Sequence, residues 1–130
     1  MLTTTGLHHL ALRVTDLQRS KAFYTSLFGM QTLLEVEGLT LLSGNGLLLG
    51  LRAAAPPASG DRFDPFRVGL DHLAVAAPDR AALEQMQRQL EGAGVPNNGV
   101  EHDELTGATY VSFYDPDGIA WELYVMTPAG

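Results

Sequence analysis

An internal repeat constrains the fold of this chain more than any other feature. The stretch GLHHLALRV, residues 6–14, is similar to GLDHLAVAA, residues 69–77, so that His9 aligns with His72 at an offset of 63 residues (72 − 9). The alignment extends over 24 positions, of which eight are identical. Self-similarity at a fixed offset is typical of chains that fold as copies of one supersecondary unit. Two such units are therefore predicted in these 130 residues.

Each copy begins with a strand pattern and continues with a helix pattern. Apolar residues alternate with other residues in the first strand of each copy, which predicts one buried and one open face. An N-cap residue follows, Asp16 in the first copy and Asp79 in the second. The helical spacing of apolar residues then runs to Gly29 and Gly92, where left-handed C-caps are expected.

Three short strands are predicted after each helix, at residues 31–37, 39–43 and 47–53, and at residues 98–103, 107–113 and 119–125. The last hairpin of each copy carries a sequence typical of type I′ turns, Asn45-Gly46 and Asp117-Gly118. The predicted fold class is therefore α+β, built from two tandem βαβββ units.

The boundaries follow from these elements. Unit one is predicted at residues 6–53 and unit two at residues 68–126, within a single domain of residues 1–130. Residues 54–67 connect them and are rich in Pro and Ala, which suits a linker or a lid over a site.

Composition excludes several classes of function. The net charge of −7 leaves no broad positive surface for nucleic acid or an anionic membrane. The absence of Cys leaves His, Asp and Glu as the metal ligands to consider. The amino terminus has no basic, apolar leader, and no apolar run is long enough to span a bilayer, so a cytoplasmic location is expected.

A lone carboxylate marks the last predicted strand. Alternation places Glu122 on one face with Ala120 and Tyr124, and such a charge is rarely left unpaired beside apolar neighbours. A cation facing it would remove the cost of burying it, whereas an edge strand would leave it in water.

Three motifs carry a resemblance to a known family: HLALRVTDLQRSKAFYTSLFGM, GLDHLAVAAPD and YDPDGIAWELY. With them, nearly the whole chain resembles the vicinal oxygen chelate superfamily, which includes glyoxalase I, extradiol dioxygenases, fosfomycin-resistance proteins and bleomycin-binding proteins. The resemblance implies a concave, glyoxalase-like mixed sheet or half-barrel formed from the two units.

The resemblance also implies a metal site. The ligand in this family is the histidine directly before the apolar alternation, which selects His9 over His8 and gives His72 in the second copy. The family places a third ligand after its DPDG turn, at Glu122. This two-His, one-carboxylate set suits one divalent ion, Fe(II) or Mn(II) above Zn, Ni or Co. Two ordinary strand histidines are the alternative reading.

One expected ligand of glyoxalase I is missing. Glu122 lies four residues after Gly118, and the residue four positions after Gly46 is Gly50. Glyoxalase I uses a carboxylate or amide there, which also moves the substrate proton, so the resemblance disfavours that reaction.

Other candidates are weaker. Tyr110 is a candidate catalytic residue in place of the tyrosine that extradiol members carry where this chain has Ser112, and His102 is a candidate base. Arg13 and Arg52 are candidates for binding a substrate carboxylate.

Asp115 and Asp117 are expected to form the turn and not to act chemically. Phe63 and Phe66 are candidate lid contacts.

The function predicted from these residues is a metal-dependent enzyme that chelates vicinal oxygens of a small substrate, with chemistry like that of extradiol dioxygenases. A glyoxalase I-like lyase or isomerase is one alternative, and a metal-free drug-binding protein, as in bleomycin resistance, is another. A homodimer is expected because the edge strands of each unit need cover.

Overall fold

The computed structural model describes residues 1–55 and 60–125, and the chain divides into two compact units, Met1–Asp61 and Arg62–Gly130. Each unit has the order βαβββ and one mixed four-stranded sheet, which confirms the predicted fold class. Residues 56–59 of the predicted connecting segment, and residue 126 at the predicted end of unit two, lie outside the described residues. The closure of the sheets into a half-barrel and the single domain stay predictions.

Unit 1 contains four strands and one helix: β1 (Leu10–Val14), α1 (Leu17–Phe28), β2 (Gln31–Val36), β3 (Leu39–Gly44) and β4 (Leu47–Ala53). The sheet order is β1-β4-β3-β2, in which β1 is parallel to β4 and the other pairs are antiparallel. Helix α1 packs on β3 and β4.

Unit 2 repeats this arrangement: β5 (Leu73–Ala76), α2 (Arg80–Gly92), β6 (Glu101–His102), β7 (Thr109–Tyr114) and β8 (Ala120–Val125). Its sheet order is β5-β8-β7-β6, with β5 parallel to β8, and α2 packs on β7 and β8. Strand β6 is shorter than the predicted span of residues 98–103. Neither helix in the described part of the chain is both long and apolar enough to cross a membrane.

The predicted helix starts are confirmed, and one predicted helix end is wrong. The side chains of Asp16 and Asp79 each accept a hydrogen bond from a backbone N–H in the first turn, and Gly29 is left-handed with φ 62°. Gly92 belongs to α2, and the left-handed residue is Gly94 with φ 69°. The N–H of Val95 donates to Leu90 O at 2.8 Å, which makes this end a Schellman motif two residues later than expected.

One of the two predicted type I′ turns is also wrong. Asn45 and Gly46 both have positive φ, 52° and 74°, as a type I′ turn requires. In the hairpin between β7 and β8, Gly118 has positive φ but Asp117 does not, so this turn is not of type I′. The Gly118 N–H donates to Asp115 O at 2.9 Å, so Pro116 and Asp117 are its central residues, and a proline at the first of them suits a type I turn.

Alternation along the strands places the cores. In β1, Leu12 and Val14 are buried while Ala11 and Arg13 are exposed, and in β8 the buried residues are Trp121 and Leu123. The buried rows face the helices, so each sheet keeps a second face that its own helix does not cover.

Candidate functional site

The open face of unit 2 collects most of the predicted site residues. In β8, Ala120, Glu122 and Tyr124 alternate with the buried Trp121 and Leu123, as expected. Strand β8 lies between β5 and β7, so side chains from both neighbours surround Glu122. The central position explains why this carboxylate is only 18% exposed.

His72 and Glu122 are in direct contact. His72 directly precedes β5, whose next residues pair with β8 in parallel, Ala74 opposite Glu122. The Nε2 atom of His72 is 2.9 Å from Oε1 of Glu122. Two candidate metal-ligand atoms are therefore close together on this face.

The other ring nitrogen of His72 is also held. Its Nδ1 atom is 2.7 Å from Oδ1 of Asp71, the residue before it in the chain. The Asp71 side chain is 77% exposed and that of His72 is 43% exposed, so the open side of the imidazole faces solvent.

Two adjoining cavities open onto this pair, and both include His72, Tyr110 and Glu122 in their linings. The first has a volume of about 340 Å³, and Phe66 of the predicted connecting segment contributes to its wall. The second has a volume of about 670 Å³ and extends to Asp103 and Tyr124. Both volumes suit a small-molecule ligand.

Tyr110 lies on the same face as Glu122. It is opposite Tyr124 in the β7–β8 pair, and the two rings stack with centroids 5.4 Å apart. Partial burial raises the pKa of Tyr110, and the negative charges of Glu101, Glu122 and Asp103 raise it further. The phenol therefore keeps its proton at neutral pH and is able to donate a hydrogen bond into the cavity.

A hydrogen-bonded group closes the far side of the second cavity. The Tyr124 hydroxyl donates to Asp103 Oδ2 at 2.7 Å, and Thr106 Oγ1 donates to the same oxygen at 2.9 Å. These bonds lower the pKa of Asp103. The contact with Thr106 lowers the pKa of Tyr124, but the bond to Asp103, burial and the nearby carboxylates together raise it above its ordinary value. Asp103 is therefore a fixed negative charge beside a neutral phenol.

The structure does not bring His102 together with Glu122. His102 pairs with Thr109 on the sheet face opposite to that of Tyr110, and it lines neither cavity. Ser112, by contrast, lies directly opposite Glu122 in the β7–β8 pair. The base role of His102 stays a prediction that this placement does not favour.

Unit 1 confirms the equivalence found by counting along the sequence. Gly50 is opposite Ala11 in the parallel pair of β1 and β4, just as Glu122 is opposite Ala74 in unit 2. Unit 1 therefore has no side chain at the position where unit 2 has its carboxylate.

The histidines of unit 1 contact each other. His9 directly precedes β1 and is exposed, and its Nδ1 atom is 2.9 Å from Nδ1 of His8. In both units the residue before the repeated histidine thus meets the Nδ1 side of its ring.

Two arginines lie next to each other on the open face of unit 1. Arg13 and Arg52 are opposite one another in the β1–β4 pair, two residues beyond Ala11 and Gly50, and both are exposed. One Arg13 nitrogen donates to Ala53 O at 2.8 Å. Neighbouring guanidinium groups repel each other, so this face suits an anion such as a carboxylate.

Within residues 1–55 and 60–125, no group of three His, Asp or Glu side chains converges so as to hold a metal ion alone. The described residues bring together two candidate metal ligands, His72 and Glu122, and the carboxylate of Asp71 contacts the first of them.

The turn aspartates have the structural role expected of them. Asp115 Oδ1 accepts hydrogen bonds from the backbone N–H groups of Asp117 and Ile119 at 2.9 and 2.8 Å, and both aspartates are buried. The Asp115 carboxylate thereby holds the turn that leads into β8.

Sequence reasoning missed two residues of this site. Asp71 aligns with His8 in the repeat, and its place directly before a candidate ligand is the signal that could have found it. Asp103 lies in the charged stretch EHDE, from which only His102 was selected.

The paired βαβββ units and the open sheet faces define a glyoxalase-like fold. The chain belongs to the Glyoxalase/Bleomycin resistance protein/Dioxygenase superfamily, whose family model matches residues 6–123. The resemblance inferred from the three motifs is thereby confirmed. The superfamily includes enzymes, its members bind small molecules, and divalent metals are typical of it.

The similar proteins each match more than nine-tenths of this chain. An uncharacterized protein of Bacillus subtilis, YwkD, is 31% identical over 92% of this chain and 95% of its own length. Catechol-2,3-dioxygenase of Bacillus subtilis is 28% identical over 95% of this chain, which matches 42% of that longer protein. The crystal structure of a glyoxylase/bleomycin resistance protein/dioxygenase domain from Frankia sp. EAN1pec is 26% identical, with a TM-score of 0.86 over 98% of this chain and 96% of that one.

Proposed function

We propose that this protein is a metal-dependent enzyme that binds one divalent ion through His9, His72 and Glu122 and chelates two neighbouring oxygens of a small substrate. The observation that carries the proposal is the 2.9 Å approach of His72 Nε2 to Glu122 Oε1 on an open sheet face lined by cavities.

The distance between these two atoms fits a shared cation. Two ligand atoms that each lie about 2.1 Å from one ion, at a right angle, are about 3.0 Å apart. The observed separation of 2.9 Å needs little change to admit an ion. A hydrogen bond between the imidazole and the carboxylate accounts for the same distance when no ion is bound.

The repeat supports His9 as the third ligand. His9 and His72 each directly precede the first strand of their unit and align in the repeat. Because Gly50 stands where unit 2 has its carboxylate, unit 1 offers one candidate metal ligand, His9. Unit 2 offers two, His72 and Glu122. The resulting two-His, one-carboxylate set favours Fe(II) or Mn(II), and Zn, Ni and Co also suit it.

The reaction that we infer is oxygen-dependent cleavage of a catechol or a related vicinal diol. A bound divalent ion supplies Lewis-acid stabilisation of a substrate oxyanion. The similarity to a protein named catechol-2,3-dioxygenase supports this class. Tyr110, which keeps its proton, donates a hydrogen bond to a substrate oxygen, and Ser112 beside Glu122 leaves room for the substrate. Arg13 and Arg52 suit a carboxylate elsewhere on it.

Two alternatives belong to other classes. A glyoxalase I-like lyase or isomerase needs a group that moves a proton between adjacent carbons, and Gly50 provides none. A metal-free binding protein would use the same cavities without an ion, and it is disfavoured by the convergence of His72 and Glu122.

A homodimer would also cover an exposed edge. All six residues of β2 are exposed, and Leu33, Leu34 and Val36 are among the exposed large apolar residues. Strand β2 is an edge strand, and such an edge invites pairing with another chain. Light scattering at tens of micromolar protein should give twice the 14.0 kDa chain mass, and a monomer would contradict this assembly.

Metal binding tests the proposed function directly. The protein purified without chelator should hold about one divalent ion per chain, and His72→Ala should weaken Mn(II) binding by about 100-fold or more. His102→Ala is the matched control, because it removes a histidine from the other sheet face, and its affinity should stay within about twofold of wild type. Equal Mn(II) affinity in the His72→Ala and wild-type proteins would refute the assignment.

Two assays then separate the reactions. The Fe(II)-loaded protein should consume oxygen with a panel of catechols, and Tyr110→Phe should lower that rate by about 10-fold to 100-fold. The Ni(II)- and Zn(II)-loaded protein should not isomerise the hemithioacetal of methylglyoxal and glutathione. Rapid isomerisation without oxygen uptake would favour the lyase alternative.

A further inference from the structure

His8 and Asp71 are at equivalent positions in the two copies of the repeat. Each contacts a ring nitrogen of the histidine that follows it. Asp71 Oδ1 is 2.7 Å from Nδ1 of His72, and His8 Nδ1 is 2.9 Å from Nδ1 of His9. The two contacts differ in chemistry. A carboxylate at neutral pH can only accept a hydrogen bond, whereas an imidazole nitrogen accepts or donates according to its tautomer.

We propose that Asp71 is a positioning residue that fixes the orientation and tautomer of His72, so that Nε2 is free to bind a cation shared with Glu122. This inference rests on the proposed function, because the orientation of the His72 ring matters for function only if His72 is a metal ligand. When Nδ1 donates its proton to Asp71, the neutral ring carries its lone pair on Nε2, which is the form that a cation shared with Glu122 requires. Without an ion, a proton between Nε2 and Glu122 Oε1 accounts for their 2.9 Å separation. Ligating histidines commonly depend on such a partner for orientation and basicity.

Exposure distinguishes this role from a purely structural one. The Asp71 side chain is 77% exposed, and its carboxylate contacts the ring of His72. A hydrogen bond in water contributes little to folding, so removal of Asp71 should leave the fold intact while it frees the ring to turn. His72 then keeps Glu122 beside Nε2 but loses the partner that holds a proton on Nδ1.

The tautomer of His72 is the first measurement, and it needs no metal. Glu122→Gln provides the background, because it removes the second carboxylate that competes for a ring proton. At about pH 8.5, well above the ordinary imidazole pKa, ¹⁵N NMR should show His72 mainly with its proton on Nδ1. Adding Asp71→Ala should shift it to the Nε2-protonated form that an unconstrained histidine side chain prefers, and Asp71→Asn should restore part of the Nδ1 form.

Metal affinity is the second measurement. Asp71→Ala should weaken Mn(II) binding by about 10-fold to 100-fold, and Asp71→Asn, which keeps an acceptor oxygen, by less than about 10-fold. Glu104→Ala is the matched control, because it removes an exposed carboxylate of unit 2 that lines neither cavity.

The outcomes separate this inference from the proposed function. An unchanged tautomer in the Asp71→Ala protein, or Mn(II) affinity within about twofold of wild type while His72→Ala abolishes binding, would overturn the role of Asp71 alone. A wild-type protein that binds no divalent ion would overturn the proposed function, and the NMR measurement would still decide whether Asp71 sets the tautomer of His72.

Discussion

The turn that leads into β8 should depend on a single carboxylate oxygen. Asp115 Oδ1 accepts two hydrogen bonds, from Asp117 N–H at 2.9 Å and from Ile119 N–H at 2.8 Å, and the residue is only 5% exposed. Asp115→Ala would leave both buried N–H groups without this acceptor, at about 1–3 kcal/mol each. Partial access of water reduces the sum, so we expect a loss of about 3 kcal/mol in the free energy of unfolding.

Urea unfolding followed by the fluorescence of Trp121 measures this loss well, because the chain has one tryptophan and it is 0% exposed. Asp115→Asn is the control, since its Oδ1 can accept both bonds, and it should cost about 1 kcal/mol. Its Mn(II) affinity should equal that of wild type, because Asp115 positions β8 and does not touch the ligands. A loss below about 1 kcal/mol for Asp115→Ala, or weakened Mn(II) binding in the folded Asn variant, would refute this reasoning.

Three further outcomes follow from single side chains. Thr40 is 1% exposed and its hydroxyl finds no partner in the described part of the chain, so Thr40→Val should raise the free energy of unfolding by about 1 kcal/mol in urea titrations. Tyr124→Phe removes the largest cause of the lowered pKa of Asp103, so ¹³C NMR should show a higher pKa for Asp103 in this variant. The stabilisation that accompanies the lowered pKa is present above the ordinary Asp pKa and is lost as the pH falls through the pKa of the folded protein. Gly50→Glu should tighten Mn(II) binding in calorimetry and lower oxygen-dependent turnover, with Gly50→Ala as the control, because the added Cβ meets Ala11 Cβ at an ordinary 3.5 Å.

Periodicity was sufficient to predict the strands and their faces. Alternation in β1 and β8 is a property of extended backbone, so the burial of Leu12 and Trp121 and the exposure of Arg13 follow from the residue order alone. Counting from the turn glycines matched Gly50 with Glu122, and the strand register agrees. The last strand of each unit pairs with the first in the same register, so that Gly50 is opposite Ala11 and Glu122 is opposite Ala74.

Backbone details at the ends of elements were not predictable in the same way. Gly92 and Gly94 both suit a helix end, and the choice depends on which carbonyl receives the N–H of Val95. Asp117-Gly118 suits a type I′ turn by composition, but Asp115 binds the following backbone and selects another turn. The face on which His102 lies was not predictable for a related reason: the start of β6 decides which face a residue takes, and a shift of one residue reverses it.

The contrast between His8 and Asp71 predicts unequal contributions from the two ligand histidines. Asp71 can only accept from His72, so that ring is held in the form in which Nε2 can ligate, whereas the His8–His9 contact permits either imidazole to be the donor. Only part of the His9 population therefore carries the tautomer that can bind the ion, and this lowers the contribution of His9 to the apparent affinity. His9→Ala should consequently weaken Mn(II) binding by about 10-fold, less than the 100-fold or more expected for His72→Ala, in calorimetry under identical conditions. His8→Asp should strengthen binding by making the first unit resemble the second. Equal losses for the two alanine variants, or weaker binding in His8→Asp, would show that the residue before each histidine does not set its contribution.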